Sequence, residues 1–162
     1  MHPRAVELIC RLRLVPHPEG GFYRERIRAE QTVTHPVHGA SRSALTCIEF
    51  LLVEGTFSAL HRVRQIEVWH HLEGEPLALH LLDETRQHHE RIELGKDLAN
   101  GMHMQAAVPA AVWQASVPLG AYVLAGCTVA PGFDFEDFAM PPRADLLARF
   151  PSHGPLVTEL TR

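Results

Sequence analysis

From Ser43 onward the chain breaks into apolar runs of five to eight residues separated by turns. The period predicts strands near 43–53, 56–63, 66–73, 76–83, 88–94, 105–109, 111–117 and 121–129, punctuated by Glu54-Gly55, Glu73-Gly74, Gly95 and Gly120. Many short strands at this spacing, with few long helical patterns, point to an all-β sandwich or barrel. Upstream, Pro3 suits a first helical turn, and Val6, Ile9 and Leu12 recur at helical spacing, so residues 3–12 are predicted helical. A cluster of breakers, residues 14–21, then leads into a strand over Phe22–Arg28 with Phe22, Arg24 and Arg26 on one face. Residues 29–41 read as a loop, and residues 142–150 as a short helix stopped by Pro151. With 162 residues and neither repeat nor linker, residues 1–162 are expected to form one domain.

Composition removes several function classes. Apolar residues at 46% supply a core and exclude intrinsic disorder. Lys and Arg number 15 against 19 acidic residues, a net charge of −4, which argues against nucleic-acid binding driven by counterion release. No apolar run reaches the roughly 18 residues of a membrane span. Met1-His2-Pro3-Arg4 is not followed by a signal-peptide apolar region, so a cytoplasmic location is expected. Cys10, Cys47 and Cys127 form no CxxC pair and are expected as reduced thiols. Gly20-Gly21 enters a strand rather than a helix, which removes the phosphate-loop reading.

Twelve histidines raise the question of metal. One segment answers in part. Between Gly55 and Gly74, His61 follows the first glycine after five residues, and Glu67 precedes the second by six. Strand alternation puts His61 and Val63 on one face. Glu67 opens the next strand, and if it points inward, Trp69 and His71 do too. The spacing resembles the first cupin motif, G-x5-H-x-H-x3-E-x6-G, in register at Gly55, His61, Glu67 and Gly74. Val63 stands where that motif has its second histidine. Downstream, Val108-Pro109-Ala110-Ala111-Val112-Trp113-Gln114 is a degenerate match to the second motif, with Gln114 in place of its histidine.

The opening Pro16-His17-Pro18-Glu19-Gly20-Gly21-Phe22-Tyr23-Arg24-Glu25 and the closing Gly126–Phe138, with its Val129-Ala130-Pro131-Gly132-Phe133-Asp134-Phe135, are distinctive. Together with the two motifs they resemble one cupin subfamily of small single-domain proteins of largely unassigned role, over residues 6 to 150. Ile66 departs from it, standing where the family commonly carries Asp. The resemblance implies a double-stranded β-helix, the cupin jelly roll, here with short N- and C-terminal helices. It also implies a homodimer and a fold related to the dTDP-sugar epimerases.

The cupin ligand pattern implies a metal on His61, Glu67 and Gln114. Two strong ligands hold a transition metal poorly unless His71, His80 or another inward residue completes the shell. The cofactor expectation is therefore none, or a weakly held divalent metal. The plain alternative makes His61 and Glu67 a buried polar pair bonded to each other or to water. For function, one reading is an isomerase- or epimerase-like enzyme on a sugar-like or small polar substrate, with His61 as acid or base tuned by Glu67. The other is a non-catalytic ligand-binding protein with the same cavity. Its ligand-binding residues would be Phe22, Arg24, Trp69, His71, Gln114 and Tyr122, Arg24 pairing with an anionic group. The expected partners are a small molecule and a second copy, with no nucleic acid and no membrane.

Overall fold

The first helix, α1 (Pro3–Leu12), starts where His2 takes the backbone N–H of Arg4 on its ring Nδ1 at 3.2 Å and Pro3 presets the first turn. It ends at Arg13, whose left-handed backbone returns its N–H to Cys10. The computed structural model describes residues 1–162. The strands that follow are β1 (Val15–Pro16), β2 (Phe22–Arg28), β3 (Thr32–Thr34), β4 (Ser41–Ser43), β5 (Thr46–Val53), β6 (Ser58–Val63) and β7 (Ile66–Gly74). Then come β8 (Leu77–Asp83), β9 (His88–Leu94), β10 (Gln105–Val108), β11 (Trp113–Pro118), β12 (Tyr122–Ala130) and β13 (Phe138–Ala139). The chain closes with α2 (Arg143–Arg149) and α3 (Gly154–Glu159).

Two elements differ from the sequence reading. The 29–41 loop contains a small hairpin, β3 against β4. Pro151 begins a 3₁₀ turn that leads into α3, so the helical layer continues past it.

Two antiparallel sheets face each other, in the orders β1-β2-β5-β12-β7-β10 and β13-β6-β11-β8-β9. This is the jelly-roll arrangement, with sheets that do not close at their edges. Alternation along each strand sorts the side chains into three apolar clusters. Phe50, Leu52, Trp69, Leu79 and Leu81 fill one half of the space between the sheets. Leu51, Val53 and Leu124 point outward beneath α1. Leu60, Leu82 and Trp113 point outward beneath Leu146, Phe150 and Val157 of the closing helices. Each such side chain, fully buried, contributes about 1.5–3 kcal/mol. Gly74 ends β7 at φ +93°, where an added Cβ would stand 2.5 Å from the Tyr122 carbonyl, so the second motif glycine is fixed by close backbone approach. No helix is long and apolar enough to cross a membrane.

Candidate functional site

The apolar filling stops short of one end of the jelly roll, leaving a cavity of about 390 Å³. His61 on β6 and Glu67 on β7 both line it, as do His17 and Glu19 from the turn before β2. That turn is held by its glycines and by Arg162. Gly20 sits at φ +115°, where a Cβ would fall 2.2 Å from the Phe57 carbonyl. The Arg162 guanidinium donates to the Glu19 carbonyl at 3.0 Å and the Phe57 carbonyl at 3.2 Å. The turn thereby carries two ionisable groups into the barrel.

His61 is 3% exposed. Its Nδ1 lies 2.8 Å from the Ala59 carbonyl, which places the ring proton there and leaves Nε2 with its lone pair. Nε2 is 3.2 Å from the Glu19 carboxylate, and Ser58 donates to the other Glu19 oxygen at 2.9 Å. Burial pushes the Glu19 carboxyl up to about 8, against the Ser58 hydrogen bond. Burial pushes His61 down. Both partners therefore favour their uncharged forms near neutral pH, with the Glu19 hydroxyl donating to Nε2. His17 accepts the Glu19 backbone N–H on Nδ1, and burial, with neighbouring His61, brings it down to about 4.

Glu67 is held separately. Gln114 on β11 donates to its Oε2, and the Gln114 oxygen in turn accepts the Trp69 indole N–H at 2.8 Å. Burial raises Glu67 to about 7, while the nearby His61 opposes the rise. The Cys127 thiol beside it is raised well above its ordinary value by burial. Within the protein, His61 thus pairs with Glu19 and the Ala59 carbonyl, and Glu67 with Gln114, while the two stay close enough to influence each other's charge.

The other predicted ligand-binding residues stand elsewhere. Phe22 faces the α1 layer, and its neighbour Tyr23 takes the inward position. Arg24 is exposed, opposite Glu49. Tyr23 and Glu25 take the inward positions, which turns Arg24 out, and a β-bulge between Glu25 and Ile27 then switches the phase of β2 so that Arg28 reaches the cavity mouth. There Arg28 donates to Glu25 at 3.0 and 2.7 Å and to the Phe133 carbonyl. Trp69 is inward but packed into the apolar half. His71 is buried near the Glu75 carbonyl, 3.0 Å from its Nε2, away from the cavity. Gln114 reaches the cavity only through Glu67, and Tyr122 donates to Glu73 on the outside. His80 lies outside too, paired at 3.0 Å with His89.

The segment 133–139 roofs the cavity with Phe133, Phe135 and Phe138, the last stacked 5.4 Å from the His61 ring. Its outer side is anchored by Asp137, 3% exposed, which accepts from Arg42 at 2.8 and 3.3 Å and from Gln65. Burial pushes Asp137 up, but the Arg42 and Gln65 hydrogen bonds outweigh it and hold the carboxyl at about 2.

The expected metal set does not fit a metal. Val63 has no donor atom, Gln114 gives its oxygen to Trp69, and His61 Nε2 faces Glu19. Three donor atoms do converge within 4.8 Å elsewhere, on His35, His38 and Asp137. Both of these imidazoles accept a backbone N–H on Nδ1, from Val37 and Ala40, each at 3.2 Å. In their neutral forms the proton sits on Nε2, the atom a metal would need. Asp137 already accepts from Arg42 and Gln65, and His38 Nε2 lies 2.9 Å from its Oδ1. Asp137 is the hydrogen-bonded anchor of the cluster, and the buried His35 Nε2 has no hydrogen-bond partner.

The family model Cupin_5, described as "Cupin superfamily (DUF985)", matches residues 6–141. A hypothetical protein from Leishmania major is 34% identical, with 97% of this chain and 98% of that one covered, at a TM-score of 0.90. A protein from Shewanella oneidensis is also 34% identical, with 96% of each chain covered and a TM-score of 0.87. Oxalate decarboxylase from Bacillus subtilis is similar at a TM-score of 0.59 and 14% identity, over 90% of this chain and 36% of that one, a likeness of fold alone. No curated protein matches the chain.

Proposed function

The chain belongs to the Cupin_5 family of the cupin superfamily, and on that premise we propose that its cavity binds a small polar molecule and moves a proton on it. What supports this reading is the His61 Nε2 lying 3.2 Å from a Glu19 carboxyl raised to about 8, in a cavity that also holds a Glu67 raised to about 7. Acids and bases close to working pH are suited to proton transfer. In the isomerase-like version, Glu67 takes a proton from the carbon next to a carbonyl. The His61–Glu19 pair returns one from the other side, so no net proton is lost. The sugar-like substrate is the sharpest form, and it rests on kinship of fold. A metal-dependent version is the weakest of the three, because only His61 and Glu67 remain of the usual donors and His61 Nε2 faces Glu19.

The test is exchange. Candidate carbonyl ligands that raise the melting temperature are incubated with the protein in D₂O, and deuterium uptake next to the carbonyl is followed by NMR. Uptake that disappears in Glu67→Gln is the expected result. Binding without uptake transfers the cavity to the non-catalytic reading, which the internal satisfaction of Glu19 by Ser58 and His61 favours. Sugar nucleotides that give no shift far above a plausible affinity remove the epimerase version.

The homodimer is proposed with a free sheet edge as its surface. β1 covers only Phe22 and Tyr23 of β2, leaving the remainder of that strand unpaired on its outer side. A monodisperse monomer by light scattering at micromolar concentration would refute it.

A further inference from the structure

We propose that the small molecule taken by this cavity carries a protonated amine on a compact apolar body. The inference rests on reading the cavity as a ligand site and names the chemistry that fits it. Four carboxyl side chains line the space, Glu19, Glu25, Glu67 and Asp134, against a single guanidinium, Arg28. That guanidinium is already bound to Glu25 through two nitrogens and to the Phe133 carbonyl. An anionic ligand therefore finds no free cation and several carboxyls.

Glu67 points to what is missing. It is 7% exposed, lines the cavity, accepts from Gln114 on Oε2 and from the Cys127 thiol, and has no cationic side chain paired with it. A buried carboxylate without a cation is costly to ionise, and an ammonium supplies both a further donor and the opposite charge. Glu19, 3.2 Å from His61 Nε2, lines the same space and offers its carboxyl oxygens as further acceptors for the ammonium hydrogens. The roof suits the same ligand. Phe133, Phe135 and Phe138 have centroids 5.1 to 6.1 Å apart, and their faces attract a cation while covering an apolar body. A divalent metal is the poorer cation here, because the converging donor atoms lie at His35, His38 and Asp137 instead.

Benzylamine, benzyl alcohol and benzoate share a shape and differ in charge, so calorimetry with the full chain at pH 7.5 tests the assignment directly. Benzylamine is expected to bind about tenfold or more tighter than the other two. Glu67→Gln is expected to erase that preference while leaving the weak binding of benzyl alcohol in place. Phe135→Ala, at a ring that is 56% exposed, is expected to weaken benzylamine about threefold while leaving the thermal melt of the free protein within a few degrees. Benzoate or benzyl alcohol binding as tightly as benzylamine overturns the amine assignment and leaves the ligand cavity standing. Saturable manganese chloride binding that is lost in Glu67→Gln, with no binding of benzylamine, replaces the organic cation by a metal and also overturns it. If no probe of any charge moves the NMR signals of the cavity residues, the ligand-site reading falls with it.

Discussion

Two buried carboxyls lie on opposite sides of the segment 133–139, and their surroundings could hardly differ more. Asp137, outside, accepts from a guanidinium and an amide and is held at about 2. Glu19, inside, has a hydroxyl and an uncharged imidazole and rises to about 8. Both are nearly inaccessible to water, so burial alone does not separate them. The donors do. A carboxylate given a cation becomes a permanent charge that fastens structure. A carboxyl denied one keeps its proton and stays available for exchange or for an incoming cation.

The largest expected effect comes from removing the donor on the anchored side. Arg42→Ala leaves the buried Asp137 without its guanidinium, with only the Gln65 amide and the His38 ring beside it, and should lower Tm by roughly 8 °C or more. Arg42→Lys should recover only part of that, because a point charge cannot reproduce the fork on both oxygens. Loss of less than a few degrees would mean that Asp137 is not the anchor.

Next in size is a pH effect on the cavity side, and its sign is fixed by linkage. In the unfolded chain Glu19 ionises near its ordinary 4.5, whereas the folded chain holds the proton to about 8. The folded state thus binds more protons across that window, and stability falls as pH rises through it. His17, brought down to about 4, acts oppositely, with stability lost as pH falls below 6.5. Above about 6.5 the lowered histidines, His17 among them, contribute progressively less, and the raised carboxyls set the slope up to about 8. Wild type should lose about 2 kcal/mol there through Glu19, and Glu19→Gln should flatten that part of the denaturant-melt profile.

Gln114→Leu should cost about 1–3 kcal/mol, because it strands the Trp69 N–H and the Glu67 carboxyl at once. It should also raise Glu67 further, readable by NMR titration. The smallest effect belongs to the surface. Glu73 is held at about 2, chiefly by its hydrogen bond from Arg4, yet both side chains are about a third exposed. Arg4→Ala should move Tm by less than roughly 2 °C, since water and salt screen such a pair. A larger loss would show that the depth of a carboxyl matters less than its partner.

The parts of this contrast that sequence made legible are the local ones. Strand period, the leading helix, and the spacing of His61 and Glu67 are set by residues within one or two turns of chain, and periodicity exposes them. The partners come from far away. His17 and Glu19 read as members of a Pro- and Gly-rich turn, and they reach His61 only because that turn is pressed onto β6 by Arg162 and by the pairing of β2 with β5. The inward guanidinium was assigned to Arg24 by simple alternation. The bulge at Glu25–Ile27 moves that role to Arg28, and a bulge leaves no mark on a two-residue period. Phe22 and Tyr23 exchange faces for a similar reason: both are aromatic, and only the packing of α1 against Leu51 decides which one turns out. Asp137 stands among Asp134 and Glu136 in sequence, and nothing local marks it as buried, because its donors Arg42 and Gln65 are more than 70 residues away.

The most direct test is a carboxyl-carbon NMR titration of Glu19, Glu67 and Asp137 in one sample. The account expects midpoints near 8 for Glu19, near 7 for Glu67 and near 2 for Asp137. A Glu19 that titrates near its ordinary 4.5 would contradict it, and with it the division between a charged anchor and an uncharged, exchangeable cavity.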